Sequence, residues 1–131
     1  MPWLMDTNVL SELVRPRPNA GVTQWAAKVD RVALSVVTID ELMFGLAWKP
    51  NDRIRDWLLS FLDESCDVLP ITRSIAHRAG VMRGTLRADG ITRSQPDMLI
   101  AATADIHGLI LVTRNVRDFE QCRIDLLNPF T

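Results

Sequence analysis

Five side chains stand where they could act together on one substrate: Asp6, Glu41, Asp97, Asn115 and Asp118. Asp6 directly follows a short apolar run, Trp3-Leu4-Met5, that reads as a strand. Glu41 falls in the first turn of a helix expected to run from about Ile39 to Trp48, after a strand over 32–35. Asp97 opens the small and apolar stretch Met98 to Ile106, and Asn115 and Asp118 follow the most strand-like run, Leu109 to Thr113. In open parallel sheets the crevice outside the carboxyl ends of the strands is where ligands bind. Each acid also has a purely local use. Asp6 can cap the helix after it, Thr38-Ile39-Asp40-Glu41 fits a capping box, and Ser94-Gln95-Pro96-Asp97 fits its looser form. An acid at a helix start gains only about 0.3–1 kcal/mol. Converging carboxylates, in contrast, repel and raise one another's pKa unless a cation neutralises them. A shared divalent ion accounts for a convergence that independent caps would leave to chance.

The donor set narrows that ion. Asp, Glu and Asn offer hard oxygen, and neither His77 nor His107 sits in a ligand-spaced pair. Hard oxygen with open water positions suits Mg²⁺, or Mn²⁺, and not Zn²⁺. Such an ion can activate water and offset charge on a phosphodiester. Other catalytic templates fail. The chain has no Gly-x-Ser-x-Gly elbow, no phosphate loop and no Gly-x-Gly-x-x-Gly. Asp6-Thr7-Asn8 is not the Asp-x-Asp of a haloacid-dehalogenase-like phosphatase, and the last lysine is Lys49, too early for a phosphate-accepting signalling domain.

The elements that must position these residues alternate. After the first strand, Thr7 to Val14 reads as a helix ended by Pro16 and Pro18. Asn19 can cap a second helix with Val22, Trp25, Ala26 and Val29 on one face. Ile54, Trp57, Leu58, Phe61 and Leu62 mark the clearest amphipathic helix, with Ile54, Trp57, Leu58 and Phe61 expected in the core and Trp48 partly exposed. Asp67 to Leu69 reads as a third strand, and Ile75, Ala79, Met82 and Leu86 mark a helix ending near Asp89-Gly90. Gly108 ends the buried helix, and a last strand is expected over 123–126. Strands alternating with helices imply a parallel sheet covered on both faces.

A length of 131 residues with 47% apolar side chains fits one domain, 1–131, with its own core. No apolar run approaches a membrane span, and no basic start followed by a long apolar run suggests a signal peptide. Cys66 and Cys122 form no Cys-x-x-Cys pair, so they read as small buried side chains of a protein in a reducing, cytoplasmic compartment. The net charge of −1 advertises no global nucleic-acid field, although only Lys28 and Lys49 among the fifteen basic residues are not arginine. Four Trp and no Tyr offer no obvious base-stacking platform.

Taken together, four segments resemble the motifs of PIN-domain nucleases: Leu4 to Leu13, Ser35 to Gly45, Asp97 to Ala104 and Leu111 to Phe119, with Asn128-Pro129-Phe130 similar to the family's tail. Their order and spacing span nearly the whole chain, and the nearest group is the VapC-type toxins of bacterial toxin–antitoxin pairs, including FitB-like members. The resemblance implies a three-layer α/β/α sandwich and a mainly parallel sheet. It also implies Mg²⁺- or Mn²⁺-dependent endoribonuclease activity, a VapB-type antitoxin as partner, and a homodimer or a heterotetramer or octamer with that antitoxin. Carried over by position, Asp6 and Asp97 are the main metal ligands and Glu41 completes the acidic cluster. The fourth position belongs to Asn115 or, three residues later, to Asp118. Asp40 stands where a small residue is usual and reads as a solvated helix-start charge or as an enlargement of the acidic site. Thr7 and Asn8 are placed to orient a ligand, and Thr113 to touch phosphate or water. Arg114 and Arg117 are placed to bind RNA phosphate or to serve as ordinary surface charge. Two other readings stay open: a non-catalytic subunit that helps a partner bind promoter DNA, and a nuclease directed at DNA.

Overall fold

The computed structural model describes residues 2–131. Five strands form one wholly parallel sheet: β1 (Trp3–Met5), β2 (Val32–Ser35), β3 (Cys66–Leu69), β4 (Ile110–Val112) and β5 (Leu126–Leu127), in the order β3-β2-β1-β4-β5. Six helices cover it: α1 (Thr7–Leu13), α2 (Ala20–Ala27), α3 (Val36–Trp48), α4 (Asp52–Ser65), α5 (Arg73–Ala88) and α6 (Gln95–His107). Successive strand residues point to opposite faces, and here they sort into two cores. Leu4, Ala33 and Leu111 pack with Ile75, Ala79, Met82 and Met98 of α5 and α6. Their neighbours Met5, Val32, Leu34 and Val112 pack with Val9, Val22, Leu42 and Leu58 of α1 to α4. The result is the three-layer α/β/α sandwich that the alternation predicts. No helix of the described residues is long and apolar enough to cross a membrane.

The order of strands explains where a site can form. From β1 the chain moves outward through β2 and β3, then returns to β4 and β5 on the other side. The direction therefore reverses between β1 and β4, which leaves a crevice at their carboxyl ends. Asp6 and Thr113 are the first residues beyond these two strands, and Asp6 N donates to Val112 O at 2.9 Å to pin the ends together.

Several boundaries differ from the sequence reading. α3 begins at Val36, not near Ile39, because Ser35 Oγ accepts from Val37 N at 3.0 Å and caps it. Glu41 therefore lies in the second turn, and the capping box expected at Thr38 does not form. The final strand is Leu126–Leu127 and not 123–126, since Arg123 adopts φ 57° and ends a 3₁₀ turn. On α4 only Leu58 is fully buried. Trp57 is exposed, at 36%, and stacks on Phe61 at 4.9 Å, so the expectation that it fills the core is not met. Trp48 is 73% exposed, as its position predicts. Gly108 closes α6 in the left-handed region, φ 63°, and both cysteines are buried and free.

Asn19 does more than cap α2. Its Oδ1 accepts from Gly21 N at 3.0 Å, and it also accepts from Thr131 N while Nδ2 donates to Thr131 O, both at 3.1 Å. One side chain thus starts a helix and clasps the tail. Gly21 is required beneath it, because a Cβ there would collide with the carbonyl oxygen of Pro129. We expect Asn19→Ala to lower stability by about 2 kcal/mol, the upper end for a lost cap. Unchanged denaturant midpoints would refute the clasp.

Candidate active site

Asp6 is 4% exposed, and both oxygens of its carboxylate are engaged within the crevice. Oδ1 accepts from Thr7 N at 2.8 Å, the local capping role expected of it. Oδ2 accepts from Thr113 Oγ1 at 2.8 Å and from Asn8 Nδ2 at 3.2 Å. Thr113, itself fully buried, also accepts from Asn8 Nδ2 at 3.3 Å and Asn115 N at 3.0 Å, and Asn8 Oδ1 accepts from Arg114 N at 3.1 Å. These bonds tie the end of β1 to the loop after β4. Thr113 is committed to Asp6, so its position suits holding the acid more than touching substrate.

Burial pushes the Asp6 carboxyl up to about 6 despite the stabilising bonds from Thr113 and Thr7, and repulsion from Asp97 and Glu41 adds to the rise. Asp97, half-buried in the first turn of α6, is also raised, chiefly by burial and then by the charges of Asp118 and Glu41, with Ser94 and Arg93 opposing. Ser94 Oγ accepts from Asp97 N at 3.2 Å, so the expected cap is present and the acid still faces the others. Asp118 acts on Asp97 from a 3₁₀ turn, whereas Asn115 contributes its backbone, donating to Thr113 and accepting from Asp118 N at 3.0 Å.

Glu41 is exposed and reaches the site through hydroxyls. Thr7 Oγ1 lies 2.7 Å from Glu41 Oε1 and 3.0 Å from Thr38 Oγ1. A carboxylate only accepts, so Thr7 gives its single proton to Glu41 and Thr38 donates to Thr7. Thr38, wholly buried, is a positioning residue that sequence reasoning took for a cap. Its spacing of three from Glu41 places both on one helix face, the signal that was available. Arg93 was likewise missed as a neighbour of Asp97, whereas Ser94 was expected there as its cap. Asp40 is exposed, as a solvated charge should be. The Arg114 guanidinium lies over the Phe130 ring at 5.0 Å, and Arg117 is an exposed side chain beside Asp118.

The acids feel one another without closing into a cage. Among the described residues no three His, Cys, Asp or Glu side chains lie close enough to enclose a metal ion. The convergence is thus looser than the sequence suggests. An open set of hard oxygens nevertheless fits Mg²⁺, which keeps several waters and is held by one or two carboxylates together with substrate phosphate.

The sequence pattern of the PIN domain family matches residues 4–125. VapC ribonuclease Y4jK of Sinorhizobium fredii is 31% identical over 97% of this chain and 96% of its own. Toxin FitB of Neisseria gonorrhoeae is 32% identical over 97% of each chain. A solved structure of FitAB bound to the IR36 DNA fragment superposes with a TM-score of 0.84 at 29% identity, covering 98% of this chain and 96% of that one. With its sheet order, its crevice and its acids in these places, the chain belongs to the PIN-domain family and, within it, to the VapC/FitB-like toxins of bacterial toxin–antitoxin systems.

Proposed function

We propose that this protein is a Mg²⁺-dependent endoribonuclease, the toxic half of a toxin–antitoxin pair. The observation that carries this reading is the buried Asp6, fixed by Thr7, Asn8 and Thr113 and facing the charges of Asp97 and Glu41. Keeping a carboxylate out of water beside like charges costs stability. A structural role does not require that cost, and a cation removes it.

Asp6 and Asp97 would hold the ion, with Mn²⁺ a substitute. When bound, it supplies Lewis-acid activation of water and offsets charge on the phosphodiester. Glu41, with Oε1 held by Thr7, keeps Oε2 free to take a proton from the attacking water. Asp118, and not Asn115, fills the fourth acidic position, supported by its action on Asp97. Asn8 and Thr113 keep Asp6 from rotating, and Arg117 offers a cation for substrate phosphate at the rim.

Membership in a toxin–antitoxin family supports a cognate VapB-type antitoxin as partner, a cytoplasmic setting, and a homodimer or larger assembly with that antitoxin. The DNA in the FitAB structure favours a second reading, a non-catalytic subunit of a DNA-binding complex. Incubating the purified protein with structured RNA and with single-stranded DNA, in Mg²⁺ and in chelator, separates the two. RNA cut only in Mg²⁺ is the expected result. Nucleic-acid binding without cutting would overturn the nuclease reading.

A further inference from the structure

An acidic centre repels the polyanion it is meant to cut, so something nearby must hold the strand. The end of α5 and the loop into α6 carry three arginines around one cleft. Arg83 and Arg87, one turn apart on α5, line a cleft of about 270 Å³ with Arg93, Gly84 and Thr92. Arg83 also borders a neighbouring hollow between α5 and Gln95, Met98 and Leu99 of α6, so it lies against the first turns of the helix that carries Asp97.

Arg83 and Arg87 carry charge with no partner among the described residues. Among the described residues, none of the three arginines forms an ion pair with a carboxylate. Arg83 and Arg87 are exposed. Arg93 is fixed: Nη1 donates to Thr92 O at 3.2 Å, and Nη2 donates to Gln121 Oε1 at 3.0 Å and Arg117 O at 3.4 Å. Its Nε–H is buried without a partner, and the bond to Arg117 O ties it to the turn that carries Asp118. In a chain of net charge −1, such a cluster is a local property.

We propose that Arg83, Arg87 and Arg93 form a phosphate-binding cleft that holds the backbone of single-stranded RNA beside the bond to be cut. The choice of RNA rests on the nuclease reading above; the choice of phosphate rests on the cleft. Guanidinium forks match phosphate oxygens bidentately. No aromatic side chain lines the cleft, so it grips backbone and does not stack bases.

The test is fluorescence anisotropy with a labelled single-stranded RNA oligonucleotide in chelator, which separates binding from cutting. Arg83→Ala/Arg87→Ala is expected to weaken binding about tenfold near 0.1 M salt. The slope of log affinity against log salt should fall by about 0.7 for each phosphate no longer held. Alanine suits these exposed helix positions, and circular dichroism checks the fold. The single variant Arg87→Glu should also weaken binding. Arg55→Ala, on α4 and paired with Asp52 and Asp56, should leave binding unchanged. Unchanged affinity and salt slope in the double variant overturn the proposal. If the wild type cuts no RNA in Mg²⁺ while the double variant still loses binding, the nuclease reading falls and the cleft stands. If the wild type cuts and the double variant cuts with unchanged KM, the cleft falls and the nuclease stands.

Discussion

Asp6→Asn is expected to cut metal-dependent RNA cleavage by roughly 10³-fold or more, the several kcal/mol that an ion contributes at a phosphoryl oxygen, while making the metal-free protein more stable at pH 8. The second effect follows from burial. The Asp6 carboxyl titrates near 6 in the folded chain against an ordinary value of 3.8. An acid whose folded pKa is raised binds its proton more tightly when folded, so its contribution is fullest below 3.8 and is lost as pH rises through about 6. That interval is a little over two pH units at about 1.4 kcal/mol each, a loss on the order of 3 kcal/mol by pH 8. Asparagine carries no charge and escapes it. The amide still accepts from Thr7 N, but its NH₂ faces Asn8 Nδ2, which gives back about 1–2 kcal/mol. The net gain in chelator is then about 1–2 kcal/mol at pH 8 and turns into a loss of about 1 kcal/mol near pH 4, where the charge term has nearly gone. Denaturant titrations at both pH values, with and without Mg²⁺, measure it. In Mg²⁺ the order should reverse, because binding stabilises only the wild type. A variant that cuts RNA, or one no more stable than wild type in chelator at pH 8, would remove Asp6 from the centre of the site.

This opposition between stability and function explains which residues the sequence discloses. Asp6 and Asp97 are legible because each is an acid abutting a run that must be buried, and local capping accounts for each alone but not for their convergence. Strand periodicity and the turn residues likewise place five strands and six helices, since both signals are local. The start of α3 is not legible in this way. Val36 and Val37 are β-branched and fall between the strand and the helix expected from about Ile39, yet Ser35 already caps the helix at that point. The two 3₁₀ turns before β5 conceal the final strand for a related reason, as Arg123 takes a backbone conformation that no side-chain preference announces. What stays hidden is what depends on tertiary approach. Thr38 meets Thr7 across thirty-one positions, and Arg93 meets Gln121 across twenty-eight. No spacing within one element encodes those pairs. Asp118 over Asn115 is similar: both follow the same strand, and only the turn between them decides which carboxylate or amide faces Asp97.

Thr113→Val should separate positioning from ligation at the same centre. The substitution keeps the shape of a fully buried side chain but removes the hydroxyl that donates to Asp6 Oδ2 at 2.8 Å and accepts from Asn8 and Asn115. A hydrogen bond to a charged group contributes about 1.5–3 kcal/mol, and here it opposes the rise that burial imposes on Asp6. Without it the Asp6 pKa moves further above 6, and stability in chelator falls more at pH 8, where the missing bond served a carboxylate, than near pH 4. Cleavage should drop about 10- to 100-fold, the range for a residue that orients a metal ligand, and excess Mn²⁺ should restore part of it because both proposed ligands remain. Asp6→Asn should show no such rescue. The pH dependence also distinguishes this role from simple packing, since a packing defect would cost the same stability at both pH values. Equal losses at pH 4 and pH 8, or a variant as active as wild type at limiting Mg²⁺, would show that Thr113 fills space and does not hold the acid.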